Sequence, residues 1–199
     1  MLFFLLRFIF IYCCFLFRGH WHGPHAIKEI DLDDNLFTDN SEQLRTIKEE
    51  ISNLRKTRHA NLILFVGACV KPPICAIVMS LCRGISLYKL LRSELLKPNI
   101  DWTINIAIQI AQGMAYLHNK QMIHKDLRSK NIFIEGNKAV ITDFGLYKIT
   151  RLCKRKMRSD LLPFTKECIF YMAPELVRSL GKSDFDDKFT TASDVFSFG

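Results

Sequence analysis

The spacing of apolar residues changes along the chain, from alternation near the start to a three-and-four repeat further on. His25-Ala26-Ile27-Lys28-Glu29-Ile30-Asp31 alternates and predicts a strand. Leu44, Ile47, Ile51 and Leu54 fall three or four apart, predicting an amphipathic helix over about residues 41–56, with Glu50 one turn before Leu54. Two β-rich runs follow, Asn61–Val66 and Cys75–Leu81, separated by Pro72-Pro73, which cannot lie inside a strand. Asp101 is placed to cap a long helix running to about His118, with Ile104, Ile108, Ala111 and Ala115 as its apolar stripe. Ile132–Ile134 and Ala139–Ile141 read as a hairpin turning through Glu135-Gly136-Asn137-Lys138. A small sheet with one helix, then a mainly helical part, is an α+β two-lobe plan.

With 199 residues, 49% of them hydrophobic, the chain suits one large domain with an ample core. The net charge of +8 raises the question of an anionic partner, yet the basic residues are dispersed. Their one dense run, Arg151 to Arg158, is too short to form a groove, so it reads as a solvated loop and no nucleic-acid partner is expected. The seven cysteines lack the paired spacing of a zinc site; Cys69, Cys75 and Cys82 lie in apolar segments, as free thiols of a reducing cytosol do. Residues 1–17 are apolar apart from Arg7. They are long enough for a short membrane span or anchor, but lack a basic n-region and a cleavage site and are interrupted by Arg7, which favours sequence foreign to the domain that follows.

The chemistry resides in His124-Lys125-Asp126-Leu127-Arg128-Ser129-Lys130-Asn131, followed by Asp143-Phe144-Gly145 and Ala173-Pro174-Glu175. Phosphoryl transfer needs a carboxylate beside the incoming hydroxyl and oxygen ligands for Mg²⁺. One loop and one turn supply all three: Asp126 to accept the hydroxyl proton, Asn131 to hold a Mg²⁺, and Asp143 to bridge metal and phosphates. Any one of these motifs is weak alone; together and in this order they resemble the protein-kinase signature set.

That resemblance implies roles for further residues. Lys28, within Ala26-Ile27-Lys28, matches the strand lysine that contacts the α- and β-phosphates of ATP, and Glu50 would pair with it. Met79 resembles the gatekeeper of the adenine pocket, Ser80-Leu81-Cys82 the hinge, and Phe133 the residue covering the base. Leu54, Phe65, His124 and Phe144 match the stack that joins the lobes of active kinases. The lobes would span about residues 18–82 and 83–199.

Arg55-Lys56-Thr57-Arg58-His59-Ala60-Asn61-Leu62-Ile63-Leu64-Phe65-Val66-Gly67-Ala68-Cys69, Lys71-Pro72-Pro73 and Tyr116-Leu117-His118 resemble the Raf and kinase-suppressor-of-Ras group. His124-Lys125-Asp126-Leu127 and Arg18-Gly19-His20-Trp21-His22-Gly23 resemble its kinase-suppressor-of-Ras branch, particularly the invertebrate forms. The resemblance implies ATP and Mg²⁺ as cofactors and Ser/Thr specificity. It also implies Ras–MAP kinase signalling, with a Raf-type kinase and the MAP kinase kinase as partners, and a cytoplasmic protein recruited to the plasma membrane. It makes Arg58 a side-to-side dimer contact. Catalysis and scaffolding both stay open: Lys28 is intact where mammalian members carry Arg, but Lys125 stands where kinases commonly have Arg, and Arg128 where Ser/Thr kinases often have Lys. Arg at that second place keeps the charge and changes its geometry. Residues 1–17 contain no glycine, so a phosphate-covering glycine-rich loop is missing, and Ser193 to Gly199 is expected to be the opening of the central C-lobe helix, with Asp194 tying it to the catalytic loop.

Overall fold

The computed structural model describes residues 6–11, 14–20, 22–32, 42–71, 73–93, 98–153 and 166–199. In chain order the elements are β1 (Leu6–Ile11), β2 (Cys14–His20), β3 (Pro24–Asp31), α1 (Glu42–Arg55), β4 (Phe65–Lys71), β5 (Ile74–Ser80), β6 (Ile85–Ser86), α2 (Leu87–Arg92), α3 (Ile100–Asn119), β7 (Ile132–Glu135), β8 (Lys138–Ile141) and α4 (Tyr147–Arg151). Short helices Lys166–Ile169 and Pro174–Arg178 follow, then the helix Thr191–Phe198. The chain divides into two compact units, the first made of residues 1–58, 64–82 and 145–161, the second of 59–63, 83–144 and 162–199.

The first unit is a five-stranded sheet in the order β1-β2-β3-β5-β4, each neighbouring pair antiparallel. Ile30, Cys75 and Ile77 are fully buried in it, each such aliphatic side chain contributing about 1.5–3 kcal/mol on burial. Helix α1 buries Ile47 and Leu54 of its predicted stripe, while Leu44 and Ile51 are half-buried. Helix α4 inserts Ile149, also fully buried, and Cys153 just beyond it forms an isolated bridge with Leu32. The apolar start enters the sheet as well: β1 pairs with β2, Ile11 opposite Cys14, and β2 pairs with β3 along its whole length. Strand pairing of residues 14–17 with 27–30 ties them to the lysine-bearing strand. Among the described residues no helix is long and apolar enough to cross a membrane.

The second unit carries the three-stranded sheet β6-β7-β8 and the long helix α3. The β7–β8 hairpin closes as predicted, Glu135 opposite Lys138, with Gly136 at φ 61°, a conformation glycine adopts without strain. Gly84, before β6, is needed for a different reason: a Cβ there would lie 2.2 Å from the Ile134 carbonyl oxygen.

Three local expectations need correction. The strand expected at Asn61–Val66 starts at Phe65, because Asn61–Ile63 is held by β8 in the other unit: Ile63 N–H donates to Ile141 O at 2.9 Å and Ile141 N–H to Asn61 O at 2.8 Å. The cap of α3 is Asn99, whose side chain accepts from the Trp102 N–H at 2.8 Å, while Asp101 lies in the first turn. The buried stripe of α3 is Ile106, Ile110, Met114 and Leu117, whereas Ile104 and Ile108 are half exposed and Ala111 and Ala115 are exposed. This helix is apolar on two sides, and a period alone does not choose between them.

Candidate active site

The loop from His124 to Asn131 is fixed from below by one carboxylate. Asp194, 2% exposed in the first turn of the helix Thr191–Phe198, accepts from His124 N–H at 2.8 Å and Lys125 N–H at 3.0 Å, and contacts His118 Nε2 at 2.9 Å. Asp194 can sit there because Thr190 caps that helix in a reciprocal capping box with Ser193. Lys125 has φ 67°, a left-handed conformation costing a non-glycine residue about 1–2 kcal/mol, which the Asp194 bond offsets. His124 is buried, its Nε2 3.0 Å from Thr142 O and its ring edge-on to Phe144 at 6.5 Å.

Above this base the predicted chemical residues converge. Asn131 Nδ2 donates to the Asp126 carbonyl at 2.8 Å and to its carboxylate at 2.9 Å, and Arg128 Nε lies 3.2 Å from the other carboxylate oxygen. Asn131 is positioned by the turn Ser129–Asn131, closed by Asn131 N–H to Arg128 O at 2.8 Å, and its own carbonyl accepts from Thr142 N–H at 2.8 Å. That bond joins the loop to the residue before Asp143. Burial raises the Asp126 pKa above the ordinary aspartate value, Arg128, His124 and Asn131 pull it back, and Asp143 pushes it up again. Asp143 has φ 66°, a left-handed conformation that stores strain where a ligand would be gripped, while Gly145 adopts φ 68° without that cost.

These donors suit a Mg²⁺ ion and its nucleotide. The Asn131 amide nitrogen is committed to Asp126, which leaves Oδ1 as its ligating atom, and Asp143 supplies a carboxylate. Mg²⁺ typically takes only one or two protein oxygens and fills the rest with water and phosphate. No group of three or more His, Cys, Asp or Glu that could hold a metal ion occurs among the described residues.

In the first unit, Lys28 is buried on β3 opposite Ile77, and the buried Met79 lies two residues further along β5 opposite Ala26. Cys82 follows β5 and is half-buried, and Phe133 is half-buried on β7 in the second unit. The Glu50 carboxylate meets Lys148 of α4 at 3.0 Å, a salt bridge from α1 to the helix after Asp-Phe-Gly that the sequence did not suggest. Arg58 is exposed, its guanidinium donating back to the Thr57 and Arg55 carbonyls at 2.6 and 3.3 Å, the favourable arrangement at a helix C-terminus. Of the stack residues, Leu54 and Phe65 are buried in one unit, His124 and Phe144 in the other. Cys75 is inert, its thiol pushed up to about 11 by burial. Cys69 is exposed, and residues 154–158 of the basic run lie outside the described residues.

Sequence reasoning missed Lys148 and the segment 167–171. Arg128 Nη1 lies 3.1 Å from Cys168 Sγ, Ser129 Oγ 2.8 Å from Tyr171 Oη, and Lys130 donates to Glu167. The one available signal was proximity in sequence: Tyr171 precedes Ala173-Pro174-Glu175 by two residues.

A β-sheet unit bearing a buried strand lysine, a helical unit with a clamped Asp126/Asn131 pair, and a strained Asp-Phe-Gly turn define the protein-kinase class. Residues 18–199 match the family model described as protein tyrosine and serine/threonine kinase, and the chain belongs to that family. Within it, the chain falls in the Raf and kinase-suppressor-of-Ras group. It is 42% identical over 186 residues to human Kinase suppressor of Ras 2, covering 92% of this chain and 19% of that protein. Mouse Kinase suppressor of Ras 2 gives the same identity and coverage. The chain thus spans about a fifth of the length of these relatives.

Proposed function

We propose that this chain binds Mg²⁺·ATP and transfers its terminal phosphoryl group to a serine or threonine hydroxyl, within Ras–MAP kinase signalling. The observation that carries the reading is the Asp126 carboxylate, held by Asn131 at 2.9 Å and Arg128 at 3.2 Å while about a third of its surface stays open to an incoming group. Asp126 orients the acceptor hydroxyl and takes its proton; Arg128 holds Asp126 and offers charge to the migrating group. Asn131 and Asp143 would hold the metal, which supplies neutralising charge at the phosphates. Lys28 would contact the α- and β-phosphates, with Met79, Cys82 and Phe133 around the base. Asp143→Asn should weaken Mg²⁺·ATP binding by calorimetry; Asp126→Asn should leave that affinity nearly intact and lower turnover about 10²-fold or more. Unchanged nucleotide affinity in the first variant, or equal loss of binding and turnover in the second, would overturn the assignment.

The Glu50–Lys148 pair favours a second reading, a catalytically weak scaffold that binds nucleotide, a Raf-type kinase and the MAP kinase kinase. With Glu50 engaged by Lys148 of α4 at 3.0 Å, the acid that would orient the strand lysine is shared with another cation. Nucleotide binding without detectable transfer would select the scaffold. Both readings extend to a cytoplasmic protein recruited to the plasma membrane and to a side-to-side dimer using Arg58.

A further inference from the structure

Beside Asp126 the second unit concentrates cations around a single aromatic ring. Helix α2, capped by Ser86, presents Tyr88 and Arg92 one turn apart; Arg92 donates to the Tyr88 hydroxyl at 2.9 Å and its guanidinium lies 5.4 Å from the ring centroid. Lys130, four residues after Asp126 on the catalytic loop, places its ammonium 4.7 Å from the centre of the same ring. Lys130 also donates to Glu167, on the short helix Lys166–Ile169. Lys130, Arg128 and Arg92 together hold the Glu167 carboxyl below the usual glutamate range. The carboxylate is thus bonded by Lys130, and both Lys130 and Arg92 are braced on the Tyr88 ring.

We propose that Tyr88, Arg92 and Lys130 form a docking site for an acidic side chain of a peptide lying alongside Asp126, and that Glu167 occupies this site as a competitor from the same chain. Three features support it. The cations are held by an aromatic face and a hydroxyl, so they keep their places when the carboxylate leaves. The Lys130–Glu167 pair is exposed, its side chains 33% and 49% accessible, and pairs of that kind bias an equilibrium by only about one- to five-fold, within reach of an outside carboxylate. Lys130 belongs to the loop that carries Asp126, so an anion bound there fixes the peptide's register relative to the reacting position. A carboxylate suits the site because one already fills it. Only the identity of this peptide as the phosphoryl acceptor rests on the kinase reading.

The test reads binding and not turnover, so absence of phosphoryl transfer leaves it intact. A fluorescein-labelled peptide with aspartates and glutamates flanking one serine is titrated with the chain by fluorescence anisotropy, against a twin carrying asparagine and glutamine. The acidic peptide should bind at least about five-fold tighter than its twin and weaken with added salt. Glu167→Gln should tighten it about two- to five-fold, and Lys130→Met and Arg92→Met should each weaken it by a similar factor or more. These side chains are exposed, so circular dichroism should show unchanged folding; should Lys130→Met unfold, Glu167→Gln and the salt dependence still decide. Equal affinity for the two peptides, or no change in Glu167→Gln, overturns the proposal. So does selective competition by inorganic phosphate or a phosphoserine peptide with no binding of the carboxylate peptide, which would make the pocket a phosphate site.

Discussion

Asp194→Ala removes the acceptor of two backbone N–H groups, His124 at 2.8 Å and Lys125 at 3.0 Å, and the partner of His118. Each backbone donor left buried without an acceptor costs about 1–3 kcal/mol, so the two together cost about 2–6 kcal/mol. Loss of the support for Lys125 at φ 67° places the expected value near the middle, about 4 kcal/mol. For a chain of this size that corresponds to a fall in Tm of roughly 8–16 °C. Asp194→Asn keeps one acceptor oxygen and should cost about half as much. Differential scanning fluorimetry supplies Tm, and hydrogen exchange resolved at the His124 and Lys125 amides supplies the local readout. Both amides should lose protection, while Asp184→Ala, which removes an exposed pair with Lys188, should leave them unmoved. Protection at 124 and 125 that survives Asp194→Ala would refute the claim that this carboxylate holds the catalytic loop.

Because burial raises the Asp126 pKa, its ionisation works against folding. The contribution is favourable below the ordinary aspartate value and is lost as pH rises through the raised one; Asp126→Asn should therefore be more thermostable than the parent at pH 7, with the gap closing on acidification, and a pH-independent gap would contradict it. Lys148→Ala should leave Tm within a few degrees, since Lys148 is 53% exposed, yet raise nucleotide affinity by releasing Glu50 toward Lys28; lowered affinity by calorimetry would contradict it. Arg58→His should leave Tm nearly unchanged while weakening association with a Raf-type kinase domain in analytical ultracentrifugation, and intact association would assign Arg58 only to capping α1.

What could be read from sequence was local or set by rigid spacing. Helix α1, strand β3 and the β7–β8 hairpin follow from short periods and from glycine at the turn, the Asp126–Asn131 pair follows from a loop too short to place them far apart, and the hairpin returns the chain so that Thr142, next to Asp143, bonds Asn131. Features set by distant partners were not legible. Asn61 reads as a strand residue until its side chain is seen donating to Ala139 O at 2.9 Å and to Gln109 at 3.0 Å, contacts 78 and 48 residues away. The same holds for Glu50 and Glu167, since the partner of the first and the second itself lie on helices of five and four residues, too short to show a period. The apolar start is a run without alternation, which fits a strand as well as a membrane helix, so its composition alone does not choose between them.

The division of the chain also bears on its synthesis. The ribosome delivers Leu32 long before its bridge partner Cys153, and α1 long before Lys148 and Ile149. At about 5–20 residues per second, the 121 residues between Leu32 and Cys153 take roughly 6–24 s to emerge, far longer than a hairpin or helix needs to form. The first sheet must wait through that interval with its last helix untranslated, holding apolar strands that invite wrong partners. A chaperone that engages nascent chains would find its longest opportunity there, and slow codons placed between the two partners would lengthen it.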